Sequence, residues 1–295
     1  MHDNQLTILS DTVRELVGDQ FPHWRSLPVR PLASQGTVNA VFRIGDGLAA
    51  RFPLQFAHPE VTRRTLEREA EAARELLGRT RFPTPRPIAL GEPGRGYLLP
   101  WSVQTWIPGE TATPDSAADS AELADDLAEF IRGVRAVDTR GRTFGGGGRG
   151  GDLKSHDAWM QDCLDKSVDF LDVPRLRRMW AAFWELPRES PDVMTHGDLM
   201  PGNVLVAQGR LAGVLDTGGL GPADAALDLV AAWHLLDAGP RRRLREALDC
   251  GELEWERGKA WAFQQALGAA WYYRETNEAM HRMGVVTAGR LLEGD

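Results

Sequence analysis

The chain of 295 residues carries a net charge of −8, with 26% charged and 42% apolar residues, a balance that suits a globular protein of one large domain or two lobes. Acidic excess argues against a nucleic-acid partner, because phosphate backbones are gripped by clustered Lys and Arg. With no run of eighteen apolar residues and no basic-then-apolar start, the sequence predicts a cytoplasmic protein without a membrane partner, and Cys163 and Cys250 alone support neither a disulfide framework nor a zinc site.

From Leu6 to Val17 apolar residues recur at helical spacing, which predicts an opening helix. Strands follow at 29–32, 38–44 and 48–52, the last two joined by a turn at Gly45-Asp46-Gly47. Between the first two lies Ala33-Ser34-Gln35-Gly36-Thr37, a polar loop whose amides could cover phosphates but which also serves as an ordinary hairpin connection. Residues 60–77 form an amphipathic helix with Leu66, Ala70, Ala73, Leu76 and Leu77 on one face. Pro83, Pro85 and Pro87 stop it and lead to strands around Ile88 and Trp101. A further helix is predicted from Ser116 to Val137, acidic early and basic late, as the helix dipole favours.

The run Gly145-Gly146-Gly147-Gly148-Arg149-Gly150-Gly151 invites comparison with a phosphate-binding loop and fails it. No Gly-Lys-Ser/Thr follows, and no strand and helix flank a Gly-x-Gly-x-x-Gly. It reads as a flexible surface loop, with a functional place near the mouth of a substrate site left open. Residues 155–186 suggest two helices broken near Pro174, with Asp157, Asp162, Asp165, Asp169 and Asp172 on a solvated surface or, for a subset, facing a bound substrate. One helix is expected across 220–236, with more at 241–250 and 255–280. Trp271, Tyr272, Glu275 and Glu278 are candidates for contact with a cationic or sugar-bearing ligand.

The chemistry concentrates in Thr195-His196-Gly197-Asp198-Leu199-Met200-Pro201-Gly202-Asn203 and in Leu215-Asp216-Thr217. Two apolar runs, 204–207 and 211–215, separated by Gln208-Gly209-Arg210, should pair as a hairpin and bring Asn203 and Asp216 together. Phosphoryl transfer needs oxygen ligands for Mg²⁺ and a carboxylate that orients the accepting hydroxyl. Asn203 and Asp216 fit the first need and Asp198 the second.

The spacing of Asp198, Asn203 and Asp216 follows the protein-kinase pattern, but Gly197 and Thr217 stand where a protein kinase has Arg and Phe, and no Ala-Pro-Glu follows. His-Gly-Asp-Leu-x-Pro-Gly-Asn with a later Leu-Asp instead closely resembles the aminoglycoside phosphotransferase family, over about residues 30 to 280. The resemblance implies an α+β, two-lobed, kinase-like fold, with a β-rich nucleotide lobe at 1–107 and a mainly helical catalytic and substrate lobe at 108–295. It implies ATP, with GTP possible, and Mg²⁺. Ser34, Gln35, Gly36 and Thr37 would cover phosphates, and Arg51 would replace the usual Lys. Glu69 is the chosen partner of Arg51, although Glu67, Glu71 and Glu75 are also available. Backbone groups from Gln104 to Trp106 would meet the adenine edge, Asp228 would support the catalytic loop, and His196 would organise it. The implied partner is a small-molecule hydroxyl acceptor, an aminoglycoside or other basic antibiotic, met by a monomer or homodimer. Macrolide, peptide and nucleoside antibiotics, choline and homoserine remain open as acceptors. So do a non-catalytic binding protein, which the Arg at position 51 encourages, and a metal-dependent hydrolase.

Overall fold

The opening helix, α1, spans Ser10–Gln20 rather than 6–17 in the computed structural model, which describes residues 6–32 and 38–294. The shift has a cause: the Leu6 amide donates to the Leu54 carbonyl at 2.7 Å, and Leu6 and Ile8 pack on the apolar core ahead of the helix. Five strands form one antiparallel sheet in the order β1-β2-β3-β5-β4. They are β1 (Val29–Pro31), β2 (Asn39–Ile44), β3 (Leu48–Pro53), β4 (Pro87–Gly91) and β5 (Trp101–Thr105). Alternation in β2 and β3 places Phe42, Ile44, Ala50 and Phe52 on the buried side, where Phe52 stacks on Trp101 with centroids 4.7 Å apart. Helix α2 (Pro59–Leu76) follows β3, begins with Pro in its first turn and buries Leu66, Ala73 and Leu76. These elements make a compact unit of residues Met1–Leu77 and Thr84–Pro108.

The other unit comprises Gly78–Pro83 and Gly109–Asp295. Residues 78–83 go with it because Arg81 and Arg210 both grip Asp126 of helix α3 (Ala121–Arg135). Burial pushes the Asp126 carboxyl up, but Arg210, the Leu211 amide and Arg81 outweigh that and hold it below the usual carboxylate range. The unit contains two small antiparallel sheets. In one, β6 (Glu110–Thr111) pairs with β8 (Val204–Ala207), which pairs with β9 (Arg210–Val214). In the other, β7 (Val193–Thr195) pairs with β10 (Gly221–Ala223).

Six helices complete this unit: α4 (Asp157–Asp165), α5 (Val173–Phe183), α6 (Val230–Leu235), α7 (Ala238–Leu248), α8 (Glu252–Tyr272) and α9 (Glu278–Glu293). Pro174 opens α5 instead of breaking a helix, with Asp172 capping the Arg175 amide at 3.2 Å. The helix expected at 220–236 is a correction. Gly221–Ala223 extends to pair with β7, Ala225–Leu229 winds as a 3₁₀ turn, and only Val230–Leu235 is α-helical. Helices α8 and α9 cross closely at Gly284, where a Cβ would lie 2.5 Å from the Ala270 nitrogen. Both cysteines are buried, and burial pushes the thiols up, Cys163 to about 11 and Cys250 to about 12. Among the described residues no helix is long and apolar enough to cross a membrane.

Candidate active site

The turn after β7 is built by Asp228. Its carboxylate is fully buried and accepts the His196 amide on Oδ2 at 2.8 Å and the Gly197 amide on Oδ1 at 2.9 Å. Burial pushes this carboxyl up, against the opposing pull of His196, the two amides and Arg135. Gly197 takes φ +84°, a left-handed conformation that lets the chain turn sharply into Asp198. The His196 side chain bridges two segments. Its Nε2 donates to the Leu215 carbonyl at 2.9 Å, which leaves Nδ1 to accept the Asp198 amide at 3.3 Å. His196 is thus an organiser of the loop, tied to the residue before Asp216.

The hairpin of β8 and β9 turns on Gln208 and Gly209, both at positive φ, in a two-residue connection that suits the strand twist. Arg210 therefore pairs with Ala207 instead of belonging to the turn. Leu215 donates to the Asn203 carbonyl at 2.7 Å, so Asp216 is the residue next to the one that pairs with Asn203. Asp216 is exposed and left-handed, at φ +53° and ψ +52°, strain of a sort that accumulates at functional sites. Asn203 Nδ2 donates to the Asp198 carbonyl at 3.0 Å and to Asp198 Oδ2 at 2.9 Å. With its nitrogen committed to Asp198, the amide oxygen Oδ1 stays available. A carboxamide oxygen and an exposed carboxylate are hard ligands that suit Mg²⁺, which takes few protein ligands and completes its shell with phosphate oxygens and water.

Asp198 has a second partner that the sequence did not single out. Arg149 Nη2 donates to Asp198 Oδ1 at 2.6 Å. The glycine run is consequently not the free surface loop its composition suggests: Gly145 to Gly148 are exposed, whereas Gly150 and Gly151 are buried. Behind Arg149 stands Gln265 of α8, whose amide oxygen accepts from Arg149 Nε at 2.8 Å and whose nitrogen donates to His234 Nε2 at 2.7 Å. His234 is fully buried, and burial, with the charges of Arg149 and Arg290 adding to it, pushes its imidazole down to about 4. The signal available in the sequence was Arg149 itself, the one charged residue among seven.

In the first unit, Arg51 on β3 and Glu69 on α2 lie 3.5 Å apart, Nη1 to Oε2. Gln104 sits in β5 opposite Ala49 and Pro87. Trp106 donates its amide to the Gly47 carbonyl at 2.8 Å, and Arg43 stands 5.0 Å from its ring. Ser34, Gln35, Gly36 and Thr37 lie outside the described residues.

The acidic residues of 157–172 have partners within their own unit. Asp157 accepts from Trp180 Nε1 at 2.8 Å, Asp162 from Lys166 at 2.8 Å and Asp169 from Arg274 at 2.7 Å. Trp271 lies under Lys166, 4.1 Å from the ring centroid, and Glu275 neighbours Arg274. Tyr272 is exposed, and Glu278 opens α9.

The profile of the phosphotransferase enzyme family matches residues 29–284. An aminoglycoside 3′-phosphotransferase of Escherichia coli is 32% identical over 143 residues, 46% of this chain and 52% of that protein. One from Streptomyces fradiae is 29% identical over 189 residues, 61% of this chain and 68% of that protein. The chain thus matches about half the length of the Escherichia coli relative. Among solved structures, the GDP complex of aminoglycoside 2′-phosphotransferase-IIIa superposes with a TM-score of 0.74 at 18% identity, covering 98% of this chain and 100% of that one. An apoenzyme macrolide 2′-phosphotransferase from Brachybacterium faecium gives 0.62 at 19% identity, covering 95% and 97%. These structural likenesses are likenesses of fold.

Proposed function

Because the chain belongs to the phosphotransferase enzyme family, we propose that it transfers the γ-phosphoryl group of ATP to a hydroxyl of an antibiotic, an aminoglycoside or another basic compound. The observation that carries this reading is the Asp198–Asn203 pair. One side chain offers a carboxylate to a hydroxyl and is oriented by the other, whose remaining oxygen, with Asp216 two residues beyond the hairpin, suits a phosphate-bound metal. The names of the relatives support the acceptor class.

Asp198 accepts a hydrogen bond from the acceptor hydroxyl and aims its oxygen at the γ-phosphorus. Orientation of this kind supplies much of the catalysis where the transition state is loose. As the oxygen–phosphorus bond forms, the bond to the bridging oxygen breaks with its electrons remaining on the nucleoside diphosphate, and the hydroxyl proton passes late to Asp198. Asn203 Oδ1 and the Asp216 carboxylate would hold Mg²⁺, which neutralises phosphate charge when bound. Arg51, braced by Glu69, would hold phosphate oxygens, and its planar fork differs from a Lys ammonium in geometry rather than in charge. Ser34, Gln35, Gly36 and Thr37, which lie outside the described residues, would add backbone amides to the phosphates. At Gln104 to Trp106 the adenine would be met by groups other than the Trp106 amide, which is spent on Gly47. A cytoplasmic protein, monomeric or dimeric, completes the reading.

The test is a mass-spectrometric screen of purified protein with Mg²⁺ and ATP, and in parallel GTP, against aminoglycosides, macrolides, peptide and nucleoside antibiotics, choline and homoserine. The expected result is one phosphoryl group gained by an aminoglycoside, absent with Asp198→Asn. Mass gain only on choline or homoserine overturns the antibiotic assignment, and failure to bind nucleotide overturns the kinase assignment.

A further inference from the structure

Arg149 is held with more care than an ion pair on a loop requires. Its backbone is fixed from behind. A Cβ on Gly150, at φ +103°, would lie 2.7 Å from the Ala223 Cβ, and one on Gly151 would lie 2.4 Å from the Phe144 ring. The Gly150 carbonyl accepts the Asp224 amide at 2.9 Å, and the Gly151 carbonyl accepts Arg257 Nη2 at 3.1 Å. Arg257 is buried against Asp224, which also takes Trp261 Nε1 at 3.0 Å. Ahead of Arg149, by contrast, a Cβ on any of Gly145 to Gly148 would meet nothing. The arginine sits where the packed half of the loop begins.

The guanidinium is fixed as well. An Arg only donates, so Gln265 turns its amide oxygen toward Nε and Nη2, at 2.8 and 3.1 Å. Its nitrogen then donates to His234 Nε2, His234 donates from Nδ1 to Thr287 Oγ1 at 2.9 Å, and the Thr287 hydroxyl turns to Met283 Sδ at 3.9 Å. Donor direction runs one way from Arg149 into the buried faces of α6, α8 and α9. Nη2 also reaches Asp198 Oδ1 at 2.6 Å, but Nη1 bonds nothing among the described residues, and the side chain keeps 34% of its exposure. One edge of a rigidly held cation is therefore open beside the carboxylate that orients the acceptor.

Asp198 does not need this cation for its own placement, since Asn203 already fixes Oδ2. The stretch Thr195 to Val206 contains no Lys or Arg, so a positive charge beside Asp198 must come from elsewhere in the chain. A hydroxyl bonded to Asp198 and poised roughly 3–3.5 Å from phosphorus brings the phosphoryl oxygens within reach of a donor that touches the same carboxylate. We propose that Arg149 is a catalytic residue whose free Nη1 edge binds an oxygen of the phosphoryl group in transit between nucleotide and acceptor. It gives up no proton. It meets charge that spreads over the phosphoryl oxygens as the bond to the diphosphate breaks and the bond to the acceptor forms. The proposal rests on the phosphotransferase reading above.

The test uses the full chain with Mg²⁺–ATP and kanamycin, or whichever acceptor the screen identifies, and compares Arg149→Gln, Arg149→Ala and Arg149→Lys. Gln carries no charge and ends two bonds short of Nη2, but Asn203 still holds Asp198 Oδ2 in this variant. A positioning role alone therefore leaves Arg149→Gln close to the parent, whereas the proposed role lowers its kcat by roughly 10²–10³-fold with the apparent KM for Mg²⁺–ATP within about twofold. Arg149→Lys should retain more activity than either neutral variant, and guanidinium ions should restore at least about tenfold to Arg149→Ala. An Arg149→Gln kcat within about threefold of the parent overturns the proposal, as does a loss in Arg149→Ala that guanidinium leaves unchanged while nucleotide binding persists. A parent that neither binds Mg²⁺–ATP nor modifies an acceptor overturns the kinase reading instead, and this role with it.

Discussion

Asn203 Nδ2 touches both the carbonyl and the carboxylate of Asp198, at 3.0 and 2.9 Å, so the residue read as a metal ligand also orients the residue read as catalytic. The two substitutions should consequently differ in kind. Asp198→Asn is expected to lower kcat by orders of magnitude while Mg²⁺–nucleotide affinity stays within about threefold of the parent. Asn203→Ala should lower kcat and also raise the Mg²⁺ concentration needed for half-maximal nucleotide binding. Calorimetric titration with and without Mg²⁺ separates the two, and an unchanged metal requirement in Asn203→Ala removes it from the metal site.

Asp228 bears on stability and turnover together, because both of its oxygens are committed to backbone amides inside the protein. Asp228→Asn keeps the shape but turns an amide NH₂ toward a backbone N–H. A buried donor then lacks an acceptor, at a cost of roughly 1–3 kcal/mol. Urea unfolding should show that loss, and kcat should fall because the His196–Asp198 turn relaxes. A variant as stable and as active as the parent contradicts the assignment.

The reach of the sequence is clearest by comparing Asn203 with Arg149. Asp198, Asn203 and Asp216 lie within one loop and one hairpin, so local rules of turn and strand place them. Arg149 lies 49 residues before Asp198, and what fixes it is the fit of Gly150 and Gly151 against Ala223 and Phe144. Glycines look alike in sequence whether exposed or packed, and the partners that distinguish them come from distant segments. The sheet of the first unit was legible because β2 and β3, six residues each, are long enough to alternate. The three-residue pair β7 and β10 was not, since Gly221-Pro222 reads as the opening of a helix that runs to 236; with only two strands in that sheet, Pro222 has little ladder to interrupt.

Arg51 stands 3.5 Å from Glu69, a long ion pair whose arginine is mostly buried. Arg51→Ala should raise the apparent KM for Mg²⁺–ATP by roughly tenfold, the loss of one charged contact, with a smaller effect on kcat. Arg51→Lys should recover part of it. If Arg51→Ala matches the parent in a nucleotide titration, the side chain holds no phosphate.

His234 gives a prediction in pH. Its imidazole titrates at about 4 in the folded protein, mainly through burial, against an ordinary value of 6.5. Between those values the unfolded chain binds a proton that the folded chain does not, so stability rises with pH across the window. The contribution is fully present above about pH 6.5, and it declines as pH falls toward 4. Between pH 7 and pH 5 the decline amounts to about 2 kcal/mol. His234→Gln lacks the titrating group and should show a correspondingly weaker pH dependence in urea unfolding, whatever its stability at pH 7. Equal dependence in parent and variant means that His234 takes up its proton without unfolding, and that the hydrogen bonds through Gln265 to Arg149 rearrange to accept it.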